Sequence, residues 1–270
     1  MPSQMLSRLA ALAALALLCA PAQARRVYES ANEFIYEAEI GAGLAIEIKG
    51  VNGNVTAEES DGAEVEVVAR KRGDKSDPAE VRLTVVEHNN GATICALYPN
   101  EDMDRPNHCG AGDDGQLTSV PSDVQVDFVV RVPRGVRFVG RTANGKVAAK
   151  AVTGGVEAHT VNGSIDIQAA GPAKASSVNG SIKATIAPGL RQRTELNTIN
   201  GDLTVAFAAN GLSILAETVN GGIDARVPFT NKVESTPTRL LALFDSASDP
   251  ASPELRLRTV NGDIRIERAQ

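Results

Sequence analysis

The chain has 270 residues, a formal net charge of −6, 43% hydrophobic residues, only 3% aromatics and no Trp. Its basic residues are scattered singly apart from Arg70-Lys71-Arg72, which argues against a nucleic-acid partner. No stretch beyond the N-terminus approaches the roughly 18 apolar residues of a membrane-spanning helix, so no transmembrane segment is expected after signal removal.

The N-terminus reads as an export signal. Arg8 supplies a positive start, Leu9 to Ala20 an apolar run, and Ala22-Gln23-Ala24 a small-x-small cleavage site. Residues 1–24 are therefore expected to be a signal peptide. Cys19 follows Leu18, where a lipoprotein signal needs a small residue, so cleavage after Ala24 is favoured over lipidation. Removal leaves 270 − 24 = 246 residues and takes Arg8 with it, giving 26 basic against 33 acidic residues, or −7. The expected location is exported, periplasmic or extracellular.

Residues 25–135 read as an N-terminal β region. Phe34, Tyr36, Ala38 and Ile40 alternate with polar residues, as do Leu44, Ile46 and Ile48 after Gly41-Ala42-Gly43. Further strands are expected over Glu64 to Lys71, Val81 to Glu87, Thr93 to Tyr98, and Val124 to Pro133. In an oxidising compartment Cys95 and Cys109 are expected to form a disulfide. The alternatives are a redox pair or metal ligation with His108, but Cys-x13-Cys fits no compact metal spacing. Glu101, Asp102, Asp104, Asp113 and Asp114 crowd the loop between and beyond the cysteines. The spacing matches no EF-hand, so a solvated acidic loop is favoured over a calcium site.

From residue 136 the chain is dominated by one motif, Thr/Ser-x-Asn-Gly-x-Ile/Val. Its corners are Asn144-Gly145, Asn162-Gly163, Asn179-Gly180, Asn200-Gly201, Asn220-Gly221 and Asn261-Gly262, with an earlier copy at Asn52-Gly53. From Asn144 the steps are 18, 17, 21, 20 and 41 residues; the last suggests a lost corner or an insert containing Pro237, Pro250 and Pro253. The 92-residue step from Asn52 to Asn144 reads as a lapse in the pattern. Each motif leads into a short alternating strand and then a second Gly/Pro corner, such as Gly171-Pro172, Pro188-Gly189 or Asn210-Gly211.

Asn-Gly between alternating strands is a strong hairpin signal, which would build an antiparallel meander. Hairpins, however, do not require the same motif at every second turn or a hydroxyl residue two positions before each Asn. A β-solenoid rewards both, because like residues of successive coils stack about 4.8 Å apart and can form side-chain ladders. Glycine after Asn then suits a sharp corner needing positive φ. The fold class expected is all-β: a single-stranded β-solenoid or β-helix over 136–270, continuous with the more irregular strand region of 25–135. Ile165, Ile167, Ile182, Leu203, Val205, Ile223, Ile264 and Ile266 are expected to point inward with Ala158 and Ala175. Residues 238–244 are expected to make at most a helical turn or two.

With the motif laid out, the chain resembles the bacterial "putative adhesin" family of Asn-Gly-repeat β-solenoids, relatives of the head GIN domain proteins. The resemblance rests on Thr198-Ile199-Asn200-Gly201-Asp202-Leu203 and its copies, and on Val124 to Pro133 followed by Gly135-Val136-Arg137-Phe138-Val139-Gly140. It implies a right-handed β-helix-like fold and a cell-envelope location, and it names no activity. The first motif departs from the pattern, with Gly50 in place of Thr.

β-Helices also host polysaccharide-active enzymes, which need clustered carboxylates on one outer face. Here Glu157, Asp166, Asp202, Asp224 and Asp263 occur about once per period, and a turn-capping role accounts for Asp202 and Asp263, as for Ser164 and Ser181. Tyr98 and Phe244 are isolated aromatics that read as loop anchors, and His159 reads as solvent-facing. No catalytic residue, cofactor or metal site is expected. The expected function is a non-catalytic, adhesin-like binding scaffold for a protein or glycan partner. The alternatives are a carbohydrate-active enzyme and a regulatory envelope-stress component.

Overall fold

The computed structural model describes residues 25–100, 104–118, 122–187, 193–208, 212–229, 231–244 and 254–269. The expected signal segment 1–24, the expected corners at 188–189 and 210–211, and Glu101 and Asp102 lie outside them.

Apart from one 3-10 turn at Pro78–Glu80, every described element is a strand. The N-terminal strands are β1 (Arg26–Glu29), β2 (Glu33–Glu39), β3 (Ala45–Lys49), β4 (Val55–Ser60), β5 (Glu64–Arg72), β6 (Arg82–His88) and β7 (Gly91–Leu97). A two-stranded ribbon follows, β8 (His108–Cys109) with β9 (Gly115–Gln116), and then the long β10 (Gln125–Pro133). The repeat begins with β11 (Arg137–Asn144), β12 (Val147–Val152), β13 (Val156–Asn162), β14 (Ile165–Ala169), β15 (Ala173–Asn179) and β16 (Ile182–Ile186). It continues with β17 (Thr194–Asn200), β18 (Leu203–Phe207), β19 (Leu212–Asn220) and β20 (Ile223–Ala225). The last strands are β21 (Asn231–Ser235), β22 (Arg239–Phe244), β23 (Glu254–Asn261) and β24 (Ile264–Arg268).

The long strands form two mixed sheets of 11 strands each. In sheet I the order is β1-β2-β5-β10-β4-β12-β14-β16-β18-β24-β20, and in sheet II it is β21-β22-β19-β23-β17-β15-β13-β11-β3-β7-β6. The strands follow from period-2 alternation: in Ile165-Asp166-Ile167-Gln168-Ala169 only the first, third and fifth residues are buried. The two inner faces supply one core of small β-branched and Ala side chains, with Phe34, Tyr36, Phe128, Phe138 and Phe207 as its bulk. Of the residues expected inside, only Ile223 is not buried, because β20 is the last strand of its sheet.

The strands on either side of an Asn-Gly corner lie in different sheets, and each pairs in parallel with its counterpart in the next period. The corners are thus not two-residue hairpins. Each period contributes a rung: one strand to sheet II, the corner, and one strand to sheet I.

Order along the chain and order in space differ at two places. First, β3 pairs with β11 and β4 with β12, both in parallel, so Asn52 sits directly beside Asn144. The 92-residue step expected to be a lapse closes on itself in space. The intervening chain builds the antiparallel pair β6-β7 and supplies β5 and β10, which pair antiparallel with each other, while β5 also pairs antiparallel with the earlier β2. Second, β23 lies between β17 and β19, and β24 between β18 and β20. The 41-residue step is therefore neither a lost corner nor a simple insert. After Phe207 the chain leaves one rung open, builds the rung beyond it, and returns with its final strands to fill the gap. The segment expected to make helical turns is the strand β22, which pairs antiparallel with β19 and buries Leu240 and Ala242. Antiparallel hairpins thus close sheet II at both ends, covering edges that would otherwise invite pairing.

Candidate functional site

The corners come first, because they set the register of everything outside. The Nδ2 of each ladder Asn after Asn52 donates to the Oδ1 of a neighbouring rung. The bonds run Asn144 to Asn52 (2.8 Å), Asn162 to Asn144 (2.8 Å), Asn179 to Asn162 (2.9 Å) and Asn200 to Asn179 (2.8 Å). They continue from Asn261 to Asn200 (2.7 Å) and from Asn220 to Asn261 (2.8 Å). At every corner except Asn52, where Gly50 stands, the residue two before the Asn is buried and donates its hydroxyl to the corner-glycine carbonyl of an adjacent rung. Thr160 reaches Gly145, Thr198 reaches Gly180 and Thr259 reaches Gly201, each at 2.9 Å. This accounts for the Thr/Ser preference: the hydroxyl satisfies a carbonyl that the turn leaves unpaired.

Glycine is needed for a different reason from the one expected. Among these corner glycines only Gly53 and Gly262 have positive φ. At Gly180 a Cβ would stand 1.9 Å from the Gly163 carbonyl oxygen, and at Gly163 it would stand 2.0 Å from that of Gly145. Close stacking of backbone on backbone, not left-handed geometry, excludes a side chain there. The position after the glycine caps the neighbouring rung: Asp202 Oδ1 accepts from Asp263 N, and Asp263 Oδ1 from Gly222 N, each at 2.8 Å.

With the corners in register, the outer face of sheet II carries parallel rows. From Asn144 on, the residue just before each corner Asn forms an apolar row of Ala143, Val161, Val178, Ile199, Val260 and Val219. Ala143 is partly buried, and the other five are exposed, from 36% at Val178 to 65% at Val219. At about 4.8 Å per strand the stripe is about 24 Å long. Ordered apolar exposure of this kind marks interaction surfaces. Three residues before each Asn runs a polar row: Lys49, Arg141, His159, Ser176, Asn197, Arg258 and Glu217. Glu217 accepts from Arg258 Nε at 2.8 Å and from Arg239 Nε at 2.9 Å.

One polar network crosses six strands of this face. The Ser176 hydroxyl meets His159 Nδ1 at 2.6 Å, and His159 Nε2 meets Glu157 Oε1 at 2.7 Å. Arg141 then bridges Glu157 (3.0 Å) and Glu47 (2.9 Å), and Glu47 accepts from Thr93 at 2.9 Å. His88 closes the chain on Thr93 at 3.1 Å. Hydroxyl, imidazole and carboxylate in that order also occur in acyl-transfer triads. Such chemistry further needs donors aimed at a developing oxyanion. Here the group lies on an open sheet whose strand N–H groups engage neighbouring strands, and Glu157 is shared with Arg141. The arrangement orders side chains across rungs.

The hydrogen bond from His159, helped by the Arg141 charge, holds the Glu157 carboxyl down at about 2 despite its partial burial. A depressed carboxyl stabilises the fold above its unfolded value, and that contribution disappears as pH falls towards 2. Glu157→Gln is therefore expected to cost about 1–3 kcal/mol near neutrality. Denaturant melts of both proteins across pH should converge as the medium becomes strongly acidic; a pH-independent difference would show that the ionised carboxylate is not the stabilising species.

Cys95 on β7 and Cys109 on β8 form a pair at disulfide distance, Cα to Cα 5.6 Å. Cys95 stands in register with Lys49. The loop after Cys109 consequently lies on the N-terminal end of the face. Lys49 Nζ donates to Gly110 O (2.5 Å) and Asp114 O (2.6 Å), and Gly112 N donates to Glu47 Oε2 (2.8 Å). Burial beneath the loop lowers the Lys49 pKa, opposed by the Glu47 charge. Asp113 faces Arg141 at 3.7 Å. Among the described residues no group of three or more His, Cys, Asp or Glu side chains is arranged to hold a metal ion. Tyr98 anchors the chain leading into this loop: its hydroxyl donates to Val124 O at 2.9 Å, and burial pushes its pKa to about 12.

No family model matches the chain, and no curated protein matches it. Among solved structures it is similar to a "putative cell adhesion protein" from Clostridium sporogenes. That match is 10% identical with a TM-score of 0.40, covering 88% of this chain and 99% of the other. It is also similar to a "putative adhesin" from Bacteroides fragilis, 13% identical with a TM-score of 0.34, covering 89% and 98% respectively.

Sequence reasoning did not find the network of Glu47, Arg141, Glu157, His159 and Ser176; His159 stands on the outer face as expected, but engaged with Ser176 and Glu157. The signal was present. Aligned on the corner Asn, Arg141, His159 and Ser176 all fall three positions before it, on adjacent rungs.

Proposed function

We propose that this chain is a right-handed β-solenoid acting as a non-catalytic, adhesin-like scaffold in the cell envelope or outside the cell. The outer face of sheet II is its binding face, and its partner is a protein or glycan. The observation that carries this reading is the exposed stripe Val161-Val178-Ile199-Val260 beside ordered charged rows on an open face. A flat, regular surface of this kind suits an extended partner rather than an enclosed small substrate. Right-handedness is supported by the connections: β12 and β14 are parallel neighbours joined through β13 in the other sheet, and such crossovers are right-handed in about 98% of cases. Export is supported by the signal-like segment and by the Cys95–Cys109 pair, which we assign as a disulfide.

The test compares two faces. Val178→Lys with Ile199→Lys should lower binding of the purified protein to isolated bacterial envelopes by at least about tenfold. Lys183→Glu, on the outer face of sheet I, should leave binding unchanged, and thermal melts should show all variants folded. Equal binding by both variants would remove the assignment of this face.

A further inference from the structure

We propose that Asn220 is a site of spontaneous covalent modification, the one corner of the seven at which deamidation proceeds in the folded protein. The chemistry is intrinsic to Asn-Gly. The glycine backbone nitrogen attacks the Asn Cγ and forms a C–N bond. The Cγ–Nδ2 bond then breaks, and ammonia leaves with the proton lost by the glycine N–H. The product is a five-membered succinimide. Water opens this ring at either carbonyl, leaving aspartate or, with the main chain rerouted through Cβ, isoaspartate. No oxidant or reductant takes part.

The reaction requires a glycine N–H free to give up its proton and a carboxamide free to swing onto it. At six corners the stack withholds both. Gly53 N donates to Asn144 O, Gly145 N to Asn162 O, Gly163 N to Asn179 O and Gly180 N to Asn200 O, at 2.9–3.0 Å. Gly201 N donates to Asn261 O (2.9 Å) and Gly262 N to Asn220 O (3.0 Å). The Oδ1 of each of those six Asn residues also accepts from the carboxamide of the next rung.

Asn220 ends the ladder. Its Nδ2 donates to Asn261, but its Oδ1 and the Gly221 N–H have no hydrogen-bond partner among the described residues. The closing hairpin takes the backbone on either side, with Thr218 N donating to Thr238 O (2.9 Å) and Ile223 N to Pro237 O (3.1 Å). Among the described residues it brings no carboxamide to the corner between them. Asn220 and Gly221 are both exposed. Conversion places a carboxylate at the end of the apolar stripe, and isoaspartate lengthens the backbone between β19 and β20.

Peptide mapping by mass spectrometry of the full chain, held in mildly alkaline buffer at physiological temperature, tests this. Asn220 should deamidate at least about tenfold faster than any other ladder Asn, because the other six must await opening of a rung. In denaturant all seven should react at similar rates. A second ladder Asn matching Asn220 in the folded protein would overturn the proposal, as would an unmodified Asn220 or an equal preference for Asn220 in denaturant. Two further Asn-Gly pairs, at 90 and 210, are not corners of this ladder and do not enter the comparison.

Discussion

Deleting residues 254–270 is expected to destroy the cooperative fold of everything beyond Phe207, although the deletion removes only the last strands of the chain. In a stack built in chain order, losing the final rung would shorten the molecule by one layer. Here the final strands lie inside it. They bury Leu255, Leu257, Ile264 and Ile266 completely, and burial of four such side chains is worth roughly 6–12 kcal/mol. That is comparable with the whole stability of a typical domain, about 5–15 kcal/mol. Without them β19 loses its parallel neighbour, β18 and β20 are separated by an empty rung, and the Asn ladder breaks between Asn200 and Asn220. Limited proteolysis of the truncated protein should therefore cut readily after Phe207 and spare the preceding rungs. A separate peptide spanning 254–270 should restore protection. A truncated protein as resistant as the intact chain would mean that these strands sit at the end of the stack.

Gly180→Ala is expected to be among the most damaging single substitutions. The added Cβ would stand 1.9 Å from the Gly163 carbonyl oxygen, and both are backbone held in two sheets, so neither can move aside alone. Forcing two rungs apart strains the Asn179 ladder bonds and the Ser177 to Gly163 bond together. A loss of more than about 3 kcal/mol is expected, at the upper end for overpacking. Gly222→Ala supplies the contrast. The nearest atom to its Cβ is Asp263 Oδ1 at 3.8 Å, so its effect should stay within about 1 kcal/mol. Thermal melts of the two variants separate steric stacking from a general intolerance of the corner to alanine. Equal melting temperatures would show that the corner has slack.

Much of this architecture was legible in the sequence because its causes are local. Alternation over Ile165-Asp166-Ile167 fixes which side chains face inward, and a hydroxyl two before each Asn follows from a single carbonyl needing a donor. The strand class and all but one of the expected inward residues emerge from such short-range rules. What escaped is non-local. The corner at Asn261 is chemically the same as those at Asn200 and Asn220, so nothing in Thr259-Val260-Asn261-Gly262 states that it belongs between them. The steps of 18, 17 and 21 residues join rungs that are neighbours in space, but the equally short step of 20 from Asn200 to Asn220 skips one, so step length does not fix the order. The reason for glycine escapes for the same cause: a clash with the neighbouring rung depends on a residue 17 positions away at Gly180 and 92 away at Gly145, not on the local φ. The Glu157–His159–Ser176 network lay beyond reading along the chain because its register appears only when rungs are aligned on Asn.

The order of the rungs is the claim on which the ladder, the truncation and the end-corner chemistry all depend. Cysteine trapping tests it directly. Arg258 stands opposite Asn197 on one side and Glu217 on the other. Asn197→Cys with Arg258→Cys should cross-link on mild oxidation, and so should Arg258→Cys with Glu217→Cys. Asn197→Cys with Glu217→Cys should not, because two rungs separate them by about 9.6 Å, beyond the roughly 7 Å Cα reach of a disulfide. A cross-link between positions 197 and 217, with none from 197 to 258, would place the rungs in chain order and contradict the intercalated final strands.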